Sequence, residues 1–185
     1  MRPKTISAAK QLTSAYAPLG AVMVPEDVYQ AYVDHSAKLG SFSHGFTYGG
    51  HPLSCALGVK AIEIYQKRDI VGQVRKLIPE FERRMARIGE HPLVGEARSC
   101  GLMGGVELVA DKRTKRSFDP KKGVGPETSR LIEENGAILR ALGDTIAICP
   151  PMIISQAELD ELFDRLEKSL NQAEAWVVAQ RLRDT

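Results

Sequence analysis

Leu93-Val94-Gly95-Glu96-Ala97-Arg98-Ser99-Cys100-Gly101-Leu102-Met103-Gly104-Gly105-Val106-Glu107-Leu108-Val109 is where the chain changes character. Its apolar residues fall into short runs suited to strands, broken by Gly101, Gly104 and Gly105. Immediately upstream, Val74, Leu77, Ile78, Phe81, Met85 and Ile88 recur at helical spacing, closed by Gly89. Pro79 lies inside that stripe, and because an interior proline costs about 3 kcal/mol it predicts a kink or break. A domain boundary is therefore expected near Glu90, dividing residues 1–90 from residues 91–185.

Downstream, Asp111 to Lys122 is rich in Lys and Arg, with Phe118 its one apolar side chain, which is a loop composition and reads as a solvated face. Glu127 to Asn135, closed by Gly136, predicts a short helix. Ala137 to Leu142, the turn Gly143-Asp144, and Thr145 to Cys149 predict a hairpin. Ser155-Gln156-Ala157-Glu158 has the form of a capping box, and the stripe from Leu159 to Trp176 predicts a long C-terminal helix.

Toward the N-terminus, Thr5 to Ala9 and Ala21 to Val24 read as short strands. Glu26 and Asp27 open a helical pattern ending near Leu39. A turn-rich loop from Gly40 to Gly50 then feeds Pro52, which suits the first position of a helix carrying Leu53, Ala56, Leu57, Ala61, Ile64 and Tyr65. Strands alternating with helices predict an α/β or α+β fold.

With 25 basic and 23 acidic residues the net charge is +2, which argues against a dedicated nucleic-acid surface. No apolar run approaches the ~18 residues of a membrane span, and the N-terminal region has no secretory pattern, so the expected location is the cytoplasm. Cys55, Cys100 and Cys149 are odd in number and widely spaced, which suits reduced thiols rather than a disulfide framework. Cys149, before Pro150-Pro151, reads as a buried structural thiol. His44, His51 and Cys55 have no carboxylate to complete a metal set, so no metal is expected.

Three positions have the chemistry of a site. Lys10 lies among small and apolar residues; its spacing alone suits a surface lysine at a strand end, whereas desolvation would free its amine to attack a carbonyl. The loop Gly45-Phe46-Thr47-Tyr48-Gly49-Gly50-His51-Pro52 brings glycine-rich backbone and a hydroxyl to a helix start, which suits either an ordinary helix entry or a phosphate. Arg140 follows three apolar residues beside a hairpin turn, where a solvated cation is the simple expectation and two-pronged binding of a carboxylate the functional one.

Four motifs occur in order: Ala9-Lys10-Gln11-Leu12-Thr13-Ser14-x-Tyr16-x-Pro18-Leu19-Gly20-Ala21; Gly45-Phe46-Thr47-Tyr48-x-Gly50-His51-Pro52; Arg98-x-x-Gly101-Leu102-Met103; and Ile138-Leu139-Arg140-x-x-Gly143-Asp144-Thr145-Ile146 with Pro150-Pro151. Together they resemble the class III, omega-type aminotransferases, pyridoxal 5'-phosphate enzymes on the fold type I scaffold. The resemblance implies that residues 1–90 are the C-terminal part of a large cofactor-binding domain with linking helices, and residues 91–185 a small α+β domain. It implies a transaminase moving an amino group from an amine or omega-amino acid to a 2-oxo acid such as pyruvate. Lys10 then corresponds to the lysine that forms a Schiff base with the cofactor and moves the proton. Thr47, beside Phe46, corresponds to the threonine that reaches the cofactor phosphate of the neighbouring subunit in a homodimer. Arg140 corresponds to a mobile arginine that pairs with a substrate carboxylate, and Tyr16 is close enough in sequence to line the same pocket. Family members are more than twice as long, so the first half, with the ring-stacking aromatic and the aspartate facing the ring nitrogen, is expected to be missing. The two N-terminal strands would then belong to a large parallel sheet with unpaired edges. Two alternatives go with that expectation: a catalytically silent fragment serving only in binding or assembly, and a related aminomutase or decarboxylase on the same scaffold.

Overall fold

The computed structural model describes residues 4–183. Its two compact units meet in sequence between Asp69 and Ile70.

In the first unit, β1 (Ile6–Ala8) leads into a 3-10 turn, Lys10–Thr13, and β2 (Ala21–Met23) returns beside β1. The two strands pair antiparallel, Ile6 opposite Met23 and Ala8 opposite Ala21, where a parallel arrangement was expected. The connection explains the difference: parallel neighbours need a crossover that returns the chain to its starting end, and this segment carries one 3-10 turn and doubles back. Next come α1 (Glu26–Leu39) and α2 (Pro52–Lys67). Glu26 and Asp27 sit in the first turn of α1, where the helix dipole favours negative charge, and Gly40 ends it at φ 73°. Pro52 occupies the start of α2, where its missing N–H costs nothing. Up to Asp69, no described hydrophobic side chain is buried; Val22, Met23, Tyr29, Phe42 and Phe46 are all exposed.

The second unit holds the core. It comprises α3 (Ile70–Gly89), β3 (Val94–Cys100), β4 (Met103–Leu108), α4 (Val124–Glu134), β5 (Arg140–Leu142), β6 (Thr145–Ile148) and α5 (Gln156–Ala179). The four strands form an antiparallel sheet in the order β3-β4-β6-β5. Val106, Ile146 and Ile148 from the sheet are buried with Phe81 of α3, Ile132 of α4 and Phe163 of α5. The stripe of α3 thus belongs to this core, which places the division before the helix rather than near Glu90.

Pro79 does not break α3, which runs continuously from Ile70 to Gly89. The proline is on the exposed face, where water can satisfy the carbonyl it leaves unbonded, while Phe81, Met85 and Ile88 anchor the opposite face. Cys149 is exposed, not buried. Ile146 and Ile148 point into the core, and the two-residue period of a strand turns the next position outward.

The hairpin forms as expected, with β5 confined to Arg140–Leu142. Its turn docks on α4: the Gly125 N–H donates to Asp144 Oδ1 at 2.8 Å. A Cβ at Gly125 would lie 1.9 Å from the Gly143 carbonyl oxygen, so the approach demands glycine.

At the head of α5 the capping box is complete. Ser155 Oγ accepts from the Glu158 N–H, and Glu158 Oε2 accepts from the Ser155 N–H at 2.8 Å. These backbone and hydroxyl donors hold the Glu158 carboxyl below the ordinary glutamate range. A depressed folded value means that the stabilisation is present above the unfolded pKa and is lost as pH falls through the folded one. Glu158→Gln is therefore expected to weaken the second unit at neutral pH but not once the glutamate is protonated. Urea midpoints of both chains, compared across that range, should converge at acid pH; a constant gap would refute the assignment.

Candidate active site

Lys10 stands at the first position of the 3-10 turn, separated from the end of β1 by Ala9. Its φ is 54°, a left-handed conformation that costs a residue with a side chain about 1–2 kcal/mol. Ser14 at φ 49° and Ala15 at φ 64° share it, so three such residues fall within six positions. Strain of that density persists only where the surroundings impose it. The Lys10 amine is exposed and has no hydrogen-bond or ion-pair partner among the described residues.

The surroundings that impose it are contributed by α2. A Cβ on Gly58 would meet Leu19 Cδ2 at 2.7 Å and Thr13 Cγ2 at 3.9 Å, so the helix backbone lies close against the turn. Thr13 is buried, and its hydroxyl donates to the Ala17 carbonyl at 2.6 Å, closing the next loop. Tyr65, in the last turn of α2, donates its phenol hydrogen to the Gln11 carbonyl at 2.8 Å. Its oxygen also meets the Ser14 hydroxyl in a short hydrogen bond.

Tyr16, 83% exposed, follows on the same turn, with its N–H donating to the Thr13 carbonyl at 3.0 Å. Phe46 and Thr47 lie in the loop that enters α2 and are exposed, Phe46 at 84%. Gly49 N–H donates to the Phe46 carbonyl at 2.8 Å, and the ring of His44 is edge-on to Phe46 at 6.2 Å. The first unit thus carries Lys10, Tyr16, Phe46 and Thr47 on one scaffold built around α2. Arg140 is in the second unit, on the edge strand β5, opposite Ala147. Its guanidinium is exposed and unpaired among the described residues. No cluster of metal-binding side chains occurs among those residues.

The aminotransferase class-III family model matches residues 1–170. The chain belongs to the class III aminotransferases. It is 39% identical over 174 residues to gamma aminobutyrate transaminase 3, chloroplastic, of Solanum lycopersicum, covering 94% of this chain and 34% of that one. Its backbone matches an omega-aminotransferase from Paracoccus denitrificans with a TM-score of 0.92 at 37% identity, over 96% of this chain and 39% of that one. The PMP-bound form of an aminotransferase from Vibrio fluvialis gives 0.91 at 36% identity, over 95% and 39%. The chain spans about a third of the length of the curated relatives it matches. Its fold is accordingly a portion of the fold type I scaffold of pyridoxal-phosphate-dependent transaminases.

Class III aminotransferases use pyridoxal 5'-phosphate, and the donors displayed by this chain fit it. An exposed, unpaired amine suits an aldehyde, the Thr47 hydroxyl can donate to a phosphate, and the unpaired Arg140 guanidinium suits a carboxylate. The aminotransferase motifs around Lys10 and Thr47 were legible in the sequence. Tyr65 was not: its position marks it only as part of the α2 stripe, and nothing local signals a hydroxyl reaching back across 54 residues.

Proposed function

We propose that this chain carries the amine-handling part of a transaminase that moves an amino group from an omega-amino acid, such as gamma-aminobutyrate, to a 2-oxo acid such as pyruvate. The observation that carries it is the strained, unpaired Lys10 in a class III aminotransferase framework. The names of the similar plant transaminases support the choice of donor. The first unit would contribute to the large, cofactor-binding domain and the second would serve as the small domain.

Bound cofactor would supply an electron sink at the amine-bearing carbon. Lys10 would hold the cofactor through its amine and, when that amine is free, would carry the proton at the substrate carbon. Thr47, with Phe46 beside it, would help hold the cofactor phosphate of the partner subunit in a homodimer. Arg140 holds a substrate carboxylate through two parallel hydrogen bonds and turns aside for an uncharged amine. Tyr16 lines the pocket without taking a chemical step.

The apolar exposure of the first unit favours a second role, assembly with a separate polypeptide that covers Val22, Met23 and Phe46. One experiment separates the two. The chain is supplied with pyridoxal 5'-phosphate, gamma-aminobutyrate and pyruvate, and alanine is measured; the same mixture without amine is reduced with borohydride and mapped by mass spectrometry. A Lys10 adduct is the expected result; alanine formed by the chain alone would count against the assembly role, and a chain lacking the Lys10 adduct refutes the proposed chemistry.

A further inference from the structure

We infer that Tyr65 is a positioning residue for Lys10, acting through Gln11 and Ser14; the inference rests on the proposed role of Lys10. The turn is poorly held by its own backbone. Leu12 N–H donates to the Ala9 carbonyl at 3.4 Å and Ser14 N–H to the Gln11 carbonyl at 3.3 Å, both longer than the ordinary 2.9–3.0 Å. Such bonds cannot by themselves keep Lys10 and Ser14 left-handed at φ 54° and 49°.

Tyr65 supplies what is lacking. A phenol has one proton, and it goes to the Gln11 carbonyl at 2.8 Å, so the Ser14 hydroxyl is the donor in its bond to the phenol oxygen. The directed chain from Ser14 through Tyr65 to Gln11 therefore clamps the residue after Lys10 to the residue that closes the turn. Tyr65 is half-buried on a 16-residue helix, a rigid platform compared with the exposed turn. Thr13 makes its side-chain bond downstream, to Ala17, and leaves this clamp to Tyr65. Without the phenol, Lys10 can relax to negative φ, and its amine leaves the place where an aldehyde is captured.

The test uses the full chain and pyridoxal 5'-phosphate as the probe. Lys10 condenses with the aldehyde, releasing water, and borohydride fixes the product. The readout is the ratio of adduct at Lys10 to adduct at Lys38, an exposed lysine in the last turn of α1. Tyr65→Phe keeps the ring and removes the hydroxyl; it is expected to lower this ratio about tenfold, and Ser14→Ala, which removes one bond of the two, about threefold. Hydrogen exchange at Leu12 and Ser14 should quicken in both variants, with the second unit unchanged. A wild-type chain that prefers Lys10 and a Tyr65→Phe chain with the same preference would overturn the positioning role, even if exchange quickens. A wild-type chain with no preference for Lys10 would instead sink the proposed function, and this inference with it. If Tyr65→Phe does not fold, Ser14→Ala decides, and an unchanged ratio there counts against the clamp.

Discussion

Lys10→Ala abolishes the borohydride-fixed adduct of pyridoxal 5'-phosphate at position 10 and reduces any amine transfer to background. No other described residue of the first unit combines a strand-end amine with strain: of the left-handed non-glycine residues up to Asp69, Lys10 alone carries a nucleophilic amine. The expected loss is complete rather than graded, because a covalent attachment point has no partial substitute. Folding does not confound the outcome. Alanine meets the same left-handed penalty as lysine at φ 54°, so stability should barely change. Lys10→Gly removes the penalty, and that chain should be as stable as wild type or more so, yet equally unreactive. Thermal melts of all three chains alongside mass-spectrometric mapping check this. Amine transfer that survives at the wild-type rate in Lys10→Ala would remove the basis of the chemistry.

Phe163→Ala should have the largest effect on stability. The ring is 1% exposed, lies 5.3 Å from the Phe81 ring at an interplanar angle of 74°, and has the Arg84 guanidinium 5.5 Å from its centroid. Truncating a buried phenylalanine costs about 3–5 kcal/mol, and the edge-to-face pair adds roughly 0.5–1.5 kcal/mol beyond its area. Arg84 is itself buried, held by Asp164 and by the Asp160 carbonyl at 3.0 Å, so removing the ring also strips a packing surface from a desolvated cation. The urea midpoint of the second unit should fall by an amount matching that cost with an unchanged slope, and Phe163→Leu should fall by less. A shift worth under about 1 kcal/mol would show that the core repacks and that the ring stack is not its centre.

Where local chemistry decides an element, the sequence was sufficient. Ser155 and Glu158 specified the head of α5, Gly143-Asp144 specified the hairpin, and Pro52 specified the start of α2. Features governed by long-range contacts were not legible. Pro79 carries a local penalty that the buried face of α3 overrides, and the antiparallel pairing of β1 with β2 depends on how their connection folds. Cys149 looked apolar enough for the core, but its strand register turned it outward. Motif order singled out Lys10, Thr47 and Arg140 as candidates, while the hydrogen bonds of Tyr65 to the lysine turn exist only once α2 has docked.

The commitment of α3 to the second unit bears on how such a chain could be recombined. A chimaera spliced after Gly89 would give a recipient the sheet without Phe81, Met85 and Ile88, three of the side chains that roof it. Splicing between Asp69 and Ile70 transplants the sheet with its roof attached, so modules exchanged among related enzymes should tolerate that seam and fail at the later one.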